Sequence, residues 1–179
     1  MNTKEARAKV TERLSAGEKK QQVFAELSGN GVKDRVLAYL IASHVDLRRC
    51  AENKTHRRIV IAIAYLQVVL VVLAALYIAT SMSVAVGLVI GAIGLLFGAL
   101  FVWGFSTNKA SAYSVFIILS LSQLPRQLGG FMESPVASAV GLAIGLGLIA
   151  YVWFVRQRLF PDFAFLGARK VAGQYVFSD

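Results

Sequence analysis

The chain is poor in the residues that staple or punctuate a soluble fold. It has a single cysteine, Cys50, so no internal disulfide can form and a disulfide-stapled secreted scaffold is excluded. Its two histidines, His44 and His56, stand six residues to either side of Cys50. Three such donors are too few for a closed tetrahedral zinc site, and no CxxC or HExxH accompanies them, so no metal is expected. Charged side chains are only 16% of the total, against roughly 25% in a soluble domain. The deepest absence is local: Ile59 to Asn108 is a run of 50 residues without one charged group. An ordinary cytosolic enzyme cannot hide such a run. Nor is there a Ser/His/Asp arrangement, a cluster of carboxylates or a phosphate-cradling glycine loop, so neither catalysis nor a cofactor is expected.

What is present is 56% hydrophobic residues, gathered after a polar start. Residues 1–58 hold 13 Lys and Arg against 7 Asp and Glu. No cleavable signal with a short apolar core is expected there, so the first hydrophobic segment is expected to act as the insertion signal. A single helix through the uncharged run would be about 75 Å long, more than twice the hydrocarbon thickness, so the chain must turn back. The turn is predicted at Ser81, Met82 and Ser83. The fold class that follows is an all-α integral membrane protein: a four-transmembrane-helix bundle with spans 59–80, 84–105, 110–128 and 135–155. Pro135 suits a first helical turn, where its missing N–H costs nothing. The third span is the most polar and is interrupted by Pro125.

Orientation follows from the cations, because positively charged short flanks stay in the cytoplasm. With both termini inside, 18 of the 19 Lys and Arg are cytoplasmic and Arg126 alone faces out. Trp103 and Trp153 then end the second and fourth spans at the same interface. The expected location is the inner (cytoplasmic) membrane of a bacterium, crossed several times, with membrane lipids as constant partners. Arg48, Arg49, Lys54, Arg57 and Arg58 adjoin the first span, where they satisfy the topology rule and can hold anionic lipid.

Two stripes of small residues stand out. Gly87, Gly91, Gly94 and Gly98 repeat at intervals of 4, 3 and 4, and so do Ser134, Ser138, Gly141 and Gly145. On a helix each makes one groove that lets another backbone come close. Both are expected to pack the four spans together, with a partner's membrane helix or self-association as the functional reading. The first span has no glycine and reads as lipid-facing. Along the third, Ser120, Gln123 and Gln127 make a polar stripe, with Arg126 beside it and Glu133 as its ion-pair candidate across the Gly129-Gly130 turn.

The cap, residues 1–58, is predicted to hold three helices. Asn2 and Glu5 form a capping box ahead of Ala6, Val10 and Leu14; a second helix carries Val23, Phe24 and Leu27, and a third Val36, Leu37, Leu40 and Ile41. Gly29-Asn30-Gly31 makes the turn between the last two. So small a unit is marginal alone and is expected to lean on the membrane or on the tail. The tail, residues 156–179, should continue the fourth helix to Pro161 and then form a hairpin turning near Gly173. Its aromatics need a surface: headgroups, the cap or another protein.

The function expected from these features is contact with a membrane-protein partner or a second copy, one concrete form being an immunity or inhibitory partner of a membrane-inserting toxin. The alternatives are a small channel or transport accessory with a polar path along the third helix, and a membrane-tethered helix-turn-helix regulator using Lys33 and Arg35. Nucleic acid is not the expected partner, because the third cap helix offers only those two cations around Asp34.

Overall fold

The computed structural model describes residues 1–129, 134–165 and 167–178, with Gln127 and Leu128 described by their backbone alone. Four short helices come first: α1 (Thr3–Ser15), α2 (Lys20–Leu27), α3 (Asp34–Ala42) and α4 (Leu47–Glu52). Four long ones follow, α5 (Lys54–Ser81), α6 (Val84–Ser106), α7 (Ala110–Gly129) and α8 (Pro135–Leu159), and then a small hairpin, β1 (Lys170–Val171) with β2 (Gln174–Tyr175). Among the described residues three helices, α5, α6 and α8, are long and apolar enough to cross a membrane. The segment expected as a third span is a helix of 20 residues but stands outside that set. Its serines, glutamine and arginine dilute the apolar content that the other three maintain.

The cap has four helices, which corrects the expectation of three. Asp46 closes the start of α4 by accepting from the backbone N–H groups of Arg48 and Arg49 at 2.8 and 3.3 Å. That is a standard N-cap, and a short helix after it needs little more. Only the buried Asn53 separates α4 from α5, whose first turns carry Lys54, Arg57 and Arg58. The helix therefore begins five residues before Ile59, the start of the uncharged run. Pro125 also behaves differently from expectation. It sits inside α7 and the helix runs on to Gly129, because a proline this close to the helix end removes a single ladder hydrogen bond.

At the first helix the capping box closes as predicted, with Glu5 N–H donating to Asn2 Oδ1 at 2.9 Å and Asn2 N–H to Glu5 Oε2 at 3.1 Å. Ala6 and Val10 are buried on one face, against α2 and α3. Gly31, at φ +88°, makes the turn into α3, a conformation that a side chain would strain.

The cap does not form a core of its own. Val10, Val23, Leu37 and Ile41 share one buried cluster with Val60 of α5, Phe105 of α6, Tyr113 of α7, Val152 and Val155 of α8, and Phe163 and Phe177 of the tail. Phe105 and Tyr113 lie 4.8 Å apart at its centre. Because the cluster takes the starts of α5 and α7 and the ends of α6 and α8, the four long helices alternate in direction. Cap and tail lie at the same end.

The tail's aromatics meet the cap, which decides among their three candidate surfaces. Phe24 faces Tyr175 at 5.4 Å and Phe177 at 5.5 Å, and Tyr39 faces Phe163 at 5.3 Å. Lys20 Nζ pairs with Asp162 Oδ2 at 2.6 Å, and the other Asp162 oxygen accepts from the Ser178 N–H and hydroxyl. Arg156, 1% exposed, donates to the carbonyls of Phe163 and Ala164 and lies 4.9 Å over Trp153, so the chain is pinned as it turns at Pro161. The hairpin turns on Ala172 and Gly173, both at positive φ, as a two-residue turn requires.

Candidate functional site

The two small-residue stripes have different surroundings. On α6, a Cβ at Gly87 would lie 2.6 Å from Ala79 Cβ and 2.7 Å from the Ala75 carbonyl, and one at Gly91 would lie 3.0 Å from Ala75 Cβ. At Gly94 and Gly98 it would collide with Val71 and Val68. The α6 stripe is thus filled by α5, and α5, read from its sequence as a lipid-facing helix, is the principal packing partner of α6. A glycine groove and a β-branched ridge are complementary, so the helix without glycine is the natural occupant. On α8 a Cβ at Gly141 would meet nothing within 4 Å among the described residues; Ser134 is exposed and Ser138 and Gly145 are half-buried.

A cleft of about 510 Å³ opens where α7 meets the α5–α6 pair. Gly94, Gly98 and Phe101 of α6, Val68 and Val71 of α5, and Phe116 and Leu119 of α7 give it apolar walls. Three polar side chains also line it: Gln67, Ser120 and Gln123. None of the three has a hydrogen-bond partner among the described residues. The contrast with their neighbours is informative, since Ser122 and Ser114 donate back to the carbonyls of Leu119 and Ala110 on their own helix. A glutamine amide carries two donors and two acceptor sites that lipid chains cannot satisfy.

Of the polar residues read from the third span, Ser120 and Gln123 come together in this cleft, while Arg126 is exposed. The Gln127 side chain and Glu133 lie outside the described residues. Gln67 went unnoticed in the sequence, yet it carries a signal: it is the only amide in an otherwise apolar first span.

The basic group at the start of α5 is spread over the surface. Arg48 Nε pairs with Glu52 at 3.0 Å and Arg49 Nε with Asp46 at 3.4 Å, while Lys54 and Arg58 are exposed and Arg57 is half-buried. In α3 Leu37, Ala38, Leu40, Ile41 and Ala42 are buried, so Lys33, Asp34 and Arg35 are what it offers to solvent. Cys50 is buried, which raises its thiol pKa, and His44 is half-buried, which lowers its own. His56 meets the Tyr151 hydroxyl through Nδ1 at 3.0 Å. Among the described residues no three His, Cys, Asp or Glu side chains gather as a metal site would need. Comparison with protein-family models, curated proteins and solved structures finds no match to this chain.

Proposed function

We propose that this is a non-enzymatic, four-span protein of the bacterial inner membrane, with both termini in the cytoplasm, that works by receiving a helix of another membrane protein. The observation that carries this reading is the cleft lined by Gln67, Ser120 and Gln123, polar groups without hydrogen-bond partners among the described residues, in an otherwise apolar helix layer. A helix bearing Ser, Thr, Asn or Gln supplies the hydrogen bonds that lipid cannot, each about 1 kcal/mol in this setting. Phe101, Phe116 and Leu119 give such a helix an apolar surface to lie on.

Four crossings are supported by the alternating direction of the long helices and by the shared end of cap and tail. Under this reading α7 crosses as the least apolar helix, screened by α6 and α8. Reporter fusions after Met82, Asn108 and Ser178 test it: the first should lie outside and the other two in the cytoplasm. An external Ser178 fusion overturns the topology. For the contact itself, a photocrosslinker at Leu119 should trap a second membrane protein in native membranes, and Gln67→Leu combined with Gln123→Leu should abolish the adduct. An adduct unchanged by both leucines removes the cleft from the proposal. Its narrowest form is neutralisation of a membrane-inserting toxin, in which deletion of this chain alone kills cells that make the toxin.

A further inference from the structure

The polar groups of the cleft beside α7 sit far from both ends of the helices that carry them. Gln67 is the fourteenth of the 28 residues of α5, about 20 Å from either helix end at 1.5 Å per residue, and Ser120 and Gln123 fall just past the middle of the 20-residue α7. Lipid tails offer no hydrogen bonds at that depth, so what fills the cleft has to carry its own polar groups at the middle of its span. The groups are open to such an occupant. Gln123 is exposed and Gln67 and Ser120 are half-buried, with none of their polar atoms sealed from the surroundings.

A second copy of this chain matches in depth, chemistry and shape. Insertion gives every copy the same orientation, so two copies pair about an axis along the membrane normal and each residue meets the other copy at its own depth. An amide and a hydroxyl both donate and accept, so Gln67, Ser120 and Gln123 can satisfy one another across such an axis, which a pure donor or a pure acceptor could not. Val115, Leu119 and Gln123 follow at intervals of four along one side of α7, all three exposed, and form a ridge at the rim of the cleft. Leu70 of α5, also exposed, stands on the other rim. Laid face to face, the α7 ridge of each copy enters the cleft of the other, and Gln123 of one comes to the wall that carries Gln67 in its counterpart.

We infer that a second copy of this chain occupies the cleft while the foreign helix is absent, as a two-fold pair joined by reciprocal amide hydrogen bonds. Self-association then guards the site, and the partner has to displace the copy to enter. The inference rests on the reading above that the cleft lies within the membrane and receives a helix.

The test is sedimentation equilibrium of the purified full chain in density-matched micelles, which reads its mass with no other protein present. The chain should be a reversible dimer, and Gln67→Leu and Gln123→Leu should each weaken it about tenfold, because the two-fold axis removes every lost bond twice. In membranes, Leu119→Cys in a Cys50→Ser background should give a disulfide-linked dimer when an oxidant is added, whereas Ile144→Cys, exposed on α8 away from the cleft, should not. A monomer at every concentration overturns the inference, as does a dimer equally tight with both leucines in place or an equal disulfide yield from the two cysteine positions. The partner reading fails separately: it falls if the Leu119 adduct from native membranes contains this chain alone, a result that leaves the two-fold pair standing.

Discussion

The two ends of the long helices are held by different means. Beside the cap, large side chains interlock: Phe105, Tyr113, Phe160 and Phe163 share one cluster, Trp153 and Phe163 lie against the buried Arg156, and cap and tail add Val23, Leu37 and Phe177. Farther along, closure depends on backbone approach. There α6 and α8 carry small residues at the same spacing, yet the α6 stripe is filled by Val68, Val71, Ala75 and Ala79 while Gly141 on α8 has no neighbour within 4 Å of its Cβ position among the described residues. The identical rhythm has two outcomes because a groove packs only if a ridge of matching shape runs beside it. α5 joins α6 through a turn at Met82 and Ser83 and is delivered to that groove.

Mutations can break this contrast at each level. The largest effect is expected at Asp162→Ala, which strands the Lys20 ammonium at a site where the carboxylate is 4% exposed and its partner 15%. About 3 kcal/mol should be lost in denaturant unfolding in micelles, and limited proteolysis should release the tail while α5 and α6 stay protected. Gly94→Leu comes next, since even a Cβ there collides with Val71; an overpacking cost of about 3 kcal/mol should appear by the same assay, localised to α5 and α6 by hydrogen exchange. The sharpest comparison is a matched pair. Gly87→Ala should cost about 1–3 kcal/mol, because Ala75 backbone must move, whereas Gly141→Ala should fall within about 0.5 kcal/mol of the parent. Equal costs would show that both stripes are packed.

The smallest effect is a pH dependence at the cap. Burial, and then the Lys20 charge, hold the His44 pKa below its ordinary value, with Asp46 opposing. The unfolded chain takes up the proton near pH 6.5 while the fold resists it, so stability should fall as pH drops below about 6.5 and level off once the folded imidazole is also protonated. His44→Gln should flatten that slope in unfolding curves recorded between pH 7.5 and 5.

Much of the architecture was legible along the chain. The uncharged run, the turn at Ser81 to Ser83 and Pro135 locate three long helices to within a few residues at their far ends, because apolar length and breakers act locally. The Asn2–Glu5 box and the turn at Gly173 were equally plain, each needing only neighbours three or fewer residues away. α4 was overlooked although Asp46 signals it, and Pro125 was given too much weight as a breaker. In the candidate site, Ser120 and Gln123 were readable from their helical spacing. Gln67 was not, since its relation to them spans more than 50 residues and depends on how α5 and α7 flank α6.

By itself the sequence determined that most of this chain is helix, where three of the four expected spans lie as helices apolar enough for lipid, and where the cations fall, because hydropathy, capping and charge are properties of short stretches. Only the tertiary structure decided which glycine stripe is filled, that the tail settles on the cap, and which unpaired amides face one cleft. Those outcomes depend on complementary shapes and polar groups brought together from distant positions, and local spacing cannot encode the partner that arrives.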